Sequence, residues 1–273
     1  VWAAVCGIGK RGTQRRQLGD IELIRETRMS ACAIATKVGA SAATVRRWRK
    51  AILIGEAVVK DLMKLFDVAA KSGWAVGSGT VSDVTFTAMC NRWESVPIRA
   101  GEPGIKELTP TPRERAAPRS LSARYGLGRQ PLHTDGAHLR HPPQFVVLCA
   151  KEPSKTPTRL WRSPQGVHRP EVLVSGIFLA DSGSDTFLTT IYDYDTGILR
   201  YDPGCMSPCD QRARDAEKYL IEEFGASRIH SWDSDDQILV INNATTLHAR
   251  EEVQEGDEER TLTRIAFKTD NKK

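Results

Sequence analysis

Ile238-Leu-Val-Ile-Asn-Asn-Ala-Thr-Thr-Leu-His-Ala-Arg250 opens with an apolar run of strand length, Ile238 to Ile241, and carries His248 beyond it. Runs of the same kind recur at Phe145–Ala150, Thr158–Trp161, Val172–Leu179, Thr186–Tyr192 and Leu262–Phe267, and one helix, about Asp210 to Phe224, interrupts them. Many short strands separated by Gly- and Pro-bearing turns predict a double-sheet β barrel or jelly roll. With the helices expected upstream, the fold class is α+β. No internal repeat is present.

His133-Thr134-Asp135 lies before the first of these runs. On a strand, residues i and i+2 share a face, so both side chains can reach one ion. His248 supplies the second imidazole. Two histidines and one carboxylate on one face of an octahedron leave three positions open, the arrangement of non-haem Fe(II) oxygenases. Two open positions suit a keto acid and the third O2.

Leu132-His-Thr-Asp-Gly-Ala-His138, Pro142-Pro-Gln-Phe-Val-Val-Leu148, Leu247-His-Ala-Arg250 and Arg260-Thr-Leu-Thr-Arg264 together resemble the taurine dioxygenase-like (TauD/TfdA) family. The resemblance runs from about Glu56 to Lys268 and rests on the order His-x-Asp, distal His, trailing Arg. It implies a double-stranded β-helix and an Fe(II)- and 2-oxoglutarate-dependent dioxygenase, with His133, Asp135 and His248 as metal ligands. It further implies that Arg260 partners the distal carboxylate of 2-oxoglutarate, a task suited to a planar guanidinium. Thr158 matches a Thr that donates to the same carboxylate, although its surroundings depart from the usual Gly-rich approach. Arg264 matches an Arg that helps hold the co-substrate or an anionic substrate. The implied reaction yields succinate, CO2 and, as a rule, a hydroxylated product. Related halogenases lack the carboxylate, so Asp135 argues against halogenation.

For the substrate, Arg129, Arg200-Tyr-Asp-Pro-Gly204 and Ser120-Leu-Ser122 are expected to line the pocket. An arginine-bearing wall favours an anionic, amino-acid-like or natural-product molecule; the alternative is that Arg129 pairs with a nearby acid. His138 and His141, in a polar loop, and the solitary His168 and His230 are not read as ligands.

Charge divides the chain. Residues 1–60 hold twelve Lys/Arg against four Asp/Glu, a balance of +8 in a protein of net charge +5, so the remainder carries −3. Any anionic partner is therefore to be sought at the N-terminus. Helices are expected over Asp20–Arg28, over Ser30–Val38 with a Ser cap, and over about Ala42–Ala51 behind a Gly39-Ala40-Ser41 turn. Ile34, Ala35, Val38, Val45 and Trp48 would form a small core. The pattern resembles a helix-turn-helix of the resolvase and transposase kind, which implies DNA contacts from Arg46, Arg47 and Arg49 within residues 20–51. A basic amphipathic hairpin packed on an enzyme is the alternative. A DNA-binding regulator or DNA-tethered oxygenase thus stands beside the free-standing enzyme. The expected division is a basic helical segment at 1–55 and a dioxygenase domain at 56–273. Within the latter, a helix spans Glu56–Ser72 and a long surface loop spans Ile98–Arg119.

Of the 273 residues, 40% are hydrophobic and 27% charged, as in globular proteins. The longest apolar runs fall far short of the roughly 20 residues a membrane-spanning helix needs. Val1–Lys10 lacks a charged leader with an apolar core and cleavage site, and the expectation is a cytoplasmic protein. Six scattered cysteines, with only Cys205 and Cys209 close, read as reduced thiols rather than a zinc or iron–sulfur site.

Overall fold

A computed structural model describes residues 30–38, 41–118, 120–164 and 169–269. They group into two compact units, divided within a helix at Lys64: one includes the residues before that point and Ser82–Cys90, the other Leu65–Val81 and Asn91 onward.

In the first unit, α1 (Ala31–Val38) starts where Ser30 Oγ accepts from the Ala33 N–H at 3.1 Å. The next helix, α2 (Ala42–Ser72), starts in the same way at Ser41, which accepts from Thr44 N–H at 3.1 Å. Both caps fall where serine was expected to satisfy the free amides of a first turn. Ile34 and Val45 are fully buried as expected. Asp20–Arg28 and the side chains of Ala35, Val38, Arg47 and Trp48 lie outside the described residues. The two helices expected over 42–51 and 56–72 are one. The intervening Ile52-Leu-Ile-Gly55 contains no proline, and a single glycine costs about 1 kcal/mol, too little to break a long helix. A further helix, α3 (Val81–Cys90), follows.

The second unit carries the antiparallel sheets. Its strands are β1 (Trp74–Ser78), β2 (Glu94–Ser95), β3 (Ile105–Leu108), β4 (Phe145–Ala150), β5 (Ser154–Arg162), β6 (Phe178–Asp181), β7 (Thr186–Thr189), β8 (Met206–Pro208), β9 (Arg228–Trp232), β10 (Gln237–Asn242), β11 (Thr246–Arg250) and β12 (Leu262–Lys268). The largest sheet runs β1-β10-β4-β12-β2 with β3 also on β12; β11-β5-β9 and β7-β6-β8 form two smaller sheets. Short helices α4 (Leu121–Tyr125) and α5 (Val172–Ser175) and the longer α6 (Gln211–Ala226) complete it.

Strands β4 and β10 are apolar without alternation because both their faces are covered. Val146, Leu148, Leu239 and Ile241 pack with Leu160 and Trp232 of the β11-β5-β9 sheet. On the opposite face, Phe145 meets the edge of Phe66 at 5.2 Å and stacks near Trp93 at 6.2 Å. A second core gathers Trp161, Phe178, Leu199 and Leu247 under α6, whose stripe Ala213, Ala216, Leu220 and Phe224 faces inward. Asp210 caps α6 by accepting from Ala213 N–H at 2.7 Å, at the start expected.

Three expectations are corrected. Val172–Ser175 is a helical turn, and its strand begins only at Phe178. Pro170 and Glu171 accept backbone bonds from Leu173 and Ser175, and Gly176 then lies so close to Ala213 that a Cβ would stand 2.6 Å from its backbone. The run predicted over Thr186–Tyr192 ends at Thr189. The stretch 98–119 is not all loop: Ile105–Leu108 adds to the edge of β12, in register from Leu108↔Leu262 to Ile105↔Ile265.

Candidate functional site

A two-residue bridge brings the imidazoles together. His133 and His248 exchange backbone hydrogen bonds, each N–H donating to the other's carbonyl at 2.9 Å, and their ring centroids stand 4.5 Å apart. Directly opposed residues project to the same side, which explains the approach. The ladder ends there. Thr134 is held by Tyr201 and Leu199, its N–H donating to Tyr201 O at 2.6 Å and its hydroxyl to Leu199 O at 3.1 Å. Asp135 therefore belongs to a turn rather than to the strand expected from the His-x-Asp spacing; Gly136 continues that turn with φ +72°.

Side-chain donor atoms of His133, Asp135 and His248 nevertheless lie within 4.8 Å of one another, all three buried. Asp135 Oδ2 is 3.8 Å from His248 Nε2, and Asp135 Oδ1 accepts from Arg264 Nη1 at 3.0 Å. Burial resists ionisation of Asp135, yet its cationic neighbours, the Arg264 guanidinium first, outweigh it and hold the carboxyl below its usual range. Burial, reinforced by His133, pushes His248 down to about 3, so its ring is neutral at physiological pH. His133 Nδ1 is 3.0 Å from Pro131 O, a hydrogen bond when that nitrogen carries the proton, which leaves Nε2 free as a ligand atom. A carboxylate and two imidazoles with converging donors fit a divalent metal of the iron type.

The three side chains open into a cavity of about 650 Å³ that also has Thr158, Arg260, Arg264 and Ser120–Ser122 in its wall. Arg260 Nη1 donates to Ser154 Oγ at 2.8 Å and Thr156 O at 2.6 Å. Asp257 braces that contact by accepting from Ser154 Oγ, Thr156 N–H and Thr156 Oγ1 at 2.6–2.8 Å. Thr158 Oγ1 accepts from Trp232 Nε1 at 3.2 Å, so its own proton is left to donate. Arg250 is opposite Thr158 on β11 and is pushed down to about 10 by burial and by Arg260. Arg264 also reaches Glu102 Oε2 at 3.5 Å, and Glu102 accepts from Lys106.

Two expected wall residues are elsewhere. Arg200 is buried, with Nη1 donating to Ala137 O at 2.6 Å and to Leu139 O, and Nη2 to Arg140 O at 2.9 Å. Its guanidinium is consumed in fastening the loop that follows Asp135. Arg129 lies over the Phe224 ring at 4.4 Å and borders a separate cavity of about 200 Å³. His138 is in the wall of the main cavity but outside the ligand cluster; burial lowers its pKa. His141 is exposed, His230 packs edge-on to Trp232 at 4.5 Å, and His168 is outside the described residues. Glu102 and Asn243 were not singled out from the sequence. Nothing local marks either, since their roles arise from partners more than 100 residues away.

No family model and no curated protein matches the sequence. Solved structures do. The chain resembles asparagine oxygenase in complex with Fe(II), 2S,3S-3-hydroxyasparagine and succinate, with a TM-score of 0.59 and 16% identity over 91% of each chain. It resembles the non-heme iron oxygenase OrfP in complex with (3S)-hydroxy-L-Arg at TM-score 0.56 and 16% identity, over 78% of this chain and 80% of that one. PvcB from Pseudomonas aeruginosa gives 0.54 and 18% identity, over 78% and 81%. The fold is therefore the jelly roll of these oxygenases. Coverage of 91% carries the first alignment into the initial 55 residues. DNA binding through Arg46, Arg47 and Arg49 draws no support from these neighbours; Arg46 is exposed, Arg49 half-buried. No helix among the described residues is long and apolar enough to cross a membrane.

Proposed function

We propose that the chain is an Fe(II)- and 2-oxoglutarate-dependent oxygenase that hydroxylates a small amino-acid-like substrate and releases succinate and CO2. The division into a helical segment at 1–55 and an oxygenase domain at 56–273 is part of this reading. The observation that carries it is the convergence of His133, Asp135 and His248 at the wall of a cavity that also holds Arg260 and Thr158. When bound, ferrous iron supplies the oxidative chemistry with O2 and the keto acid. The protein's part is to bind and orient. Arg260, with only Nη1 engaged among the described residues, offers its remaining N–H groups to the distal carboxylate of 2-oxoglutarate. Thr158, whose hydroxyl accepts from Trp232 and keeps its own proton, donates to the same group.

Arg264 and Glu102 support an amino-acid-like substrate. They place a guanidinium and a carboxylate side by side in the wall, complementary to a substrate carboxylate and ammonium. The structural neighbours solved with hydroxyasparagine and hydroxyarginine support the same class. The test is anaerobic titration with Fe(II) and 2-oxoglutarate, followed by succinate release against the free amino acids. Expected are a visible charge-transfer absorption that requires His248 and succinate release stimulated by at least one amino acid. Absence of that absorption in the parent protein would sink the proposal.

A further inference from the structure

Asp135 presents a problem of support that the two histidines do not have. His133 and His248 are fastened by their reciprocal backbone bonds, but the ladder stops one residue before Thr134, and Asp135 lies in a buried turn. Buried backbone N–H and C=O groups demand partners. For Asp135 both come from one side chain. Its N–H donates to Asn243 Oδ1 at 3.0 Å, and its C=O accepts from Asn243 Nδ2 at 3.0 Å. The same Nδ2 donates to Pro143 O at 2.9 Å, and Asn243 N–H donates to Gln144 O at 2.8 Å. Asn243 is fully buried.

A carboxamide is a copy of the peptide group, with an acceptor and donors in the spacing that a neighbouring strand would offer. Asn243 thus replaces the missing strand. It also follows directly on β10, in the turn before β11 that carries His248. The chain passing from β10 through this turn into β11 therefore holds the distal histidine by its own backbone and the carboxylate through Asn243. We infer that Asn243 is a positioning residue of the metal centre, acting on the ion through the backbone of Asp135. This rests on the metal-binding reading of His133, Asp135 and His248.

The experiment is calorimetric titration of the full-length apoprotein with Co(II). Outer contacts of this kind change metal affinity by roughly 10- to 100-fold. Asn243→Ala is expected to weaken Co(II) binding by about that factor. In an Asp135→Ala background the same change is expected to have no further effect, because no carboxylate remains to be held. A mere loosening of the fold would weaken the two-histidine site as well. Equal losses in both backgrounds, or no loss in the parent, would overturn the inference while leaving the metal site standing. A parent protein that binds no Co(II) would overturn the metal reading and the inference with it. Should Asn243→Ala fail to fold, Asn243→Asp, which keeps the acceptor and loses both donors, carries the same comparison with the same outcomes.

Discussion

Arg260 and Arg264, on β12 and its approach, border the same turn of chemistry as Arg200 and Arg129, in the loops around His133, yet the two pairs do opposite things. Arg260 is braced from one side by Ser154 and Thr156, and Arg264 ties Asp135 to Glu102; both face the main cavity. Arg200 gives its two terminal nitrogens to three carbonyls, and Arg129 covers an aromatic ring at another cavity. What separates the two pairs is where the guanidinium stands. Arg260 and Arg264 border the main cavity, whereas Arg200 is buried on three carbonyls and Arg129 lies on a ring at the smaller cavity.

The sharpest break of that contrast is Arg260→Ala. Removing one partner of a desolvated, hydrogen-bonded charge pair costs about 2 to 4 kcal/mol, roughly 30- to 1000-fold in affinity. The expected result is a 2-oxoglutarate requirement raised by that factor in succinate release, with a stability loss smaller than that of Arg200→Met because only Ser154 Oγ and the Thr156 carbonyl lose a donor. An unaltered requirement would transfer the carboxylate contact to Arg264. The reverse pattern is expected of Arg200→Met. It strips donors from the carbonyls of Ala137, Leu139 and Arg140, at a cost of about 2 to 3 kcal/mol in stability. Denaturant unfolding should show the loss while the 2-oxoglutarate requirement stays within about two-fold. A large change in the latter with full stability would return Arg200 to the binding wall.

From sequence the two pairs look alike, and the reason is physical. The apolar strands β4 and β10 are legible because burial on both faces writes itself as a near-continuous hydrophobic run. The candidate metal ligands are legible because few other tasks need His-x-Asp and a distal His together. Val172–Ser175 misleads because its β-branched residues suit a strand while Pro170 and the close approach of Gly176 to Ala213 impose a turn. Arg200 misleads because its burial depends on where the 137–140 carbonyls come to rest. Asn243 and Glu102 stay invisible for the same cause: each acts on a residue far along the chain, and no spacing rule reaches that distance.

A finer test concerns Thr158, the neutral member of the wall proposed to hold 2-oxoglutarate. Trp232 Nε1 donates to its hydroxyl, which fixes which way the hydroxyl proton can point. Trp232→Phe removes that donor and keeps most of the ring volume. A net hydrogen bond of about 1 kcal/mol predicts a rise of roughly three- to ten-fold in the 2-oxoglutarate requirement, with turnover at saturation preserved. Because Trp232 acts through the Thr158 hydroxyl, Trp232→Phe should add little once Thr158→Val has removed that hydroxyl. Full additivity would show that Trp232 acts by packing alone.

The smallest effect belongs to Arg129→Ala, and it decides whether the contrast extends to a residue with only an aromatic partner. Arg129 lies 4.4 Å from the centre of Phe224, a ring that Arg159 also approaches at 5.3 Å. A cation over an aromatic face at a partly exposed site stabilises by about 0.5 to 1 kcal/mol, and Arg159, itself paired with Glu251 at 2.7 Å, keeps the other contact. The expected outcome is a stability loss within that range and unchanged kinetic constants for co-substrate and substrate alike. A selective rise in the substrate KM would mean that the guanidinium leaves Phe224 to meet the substrate. Which cavity an arginine borders in the free protein would then not separate the two pairs.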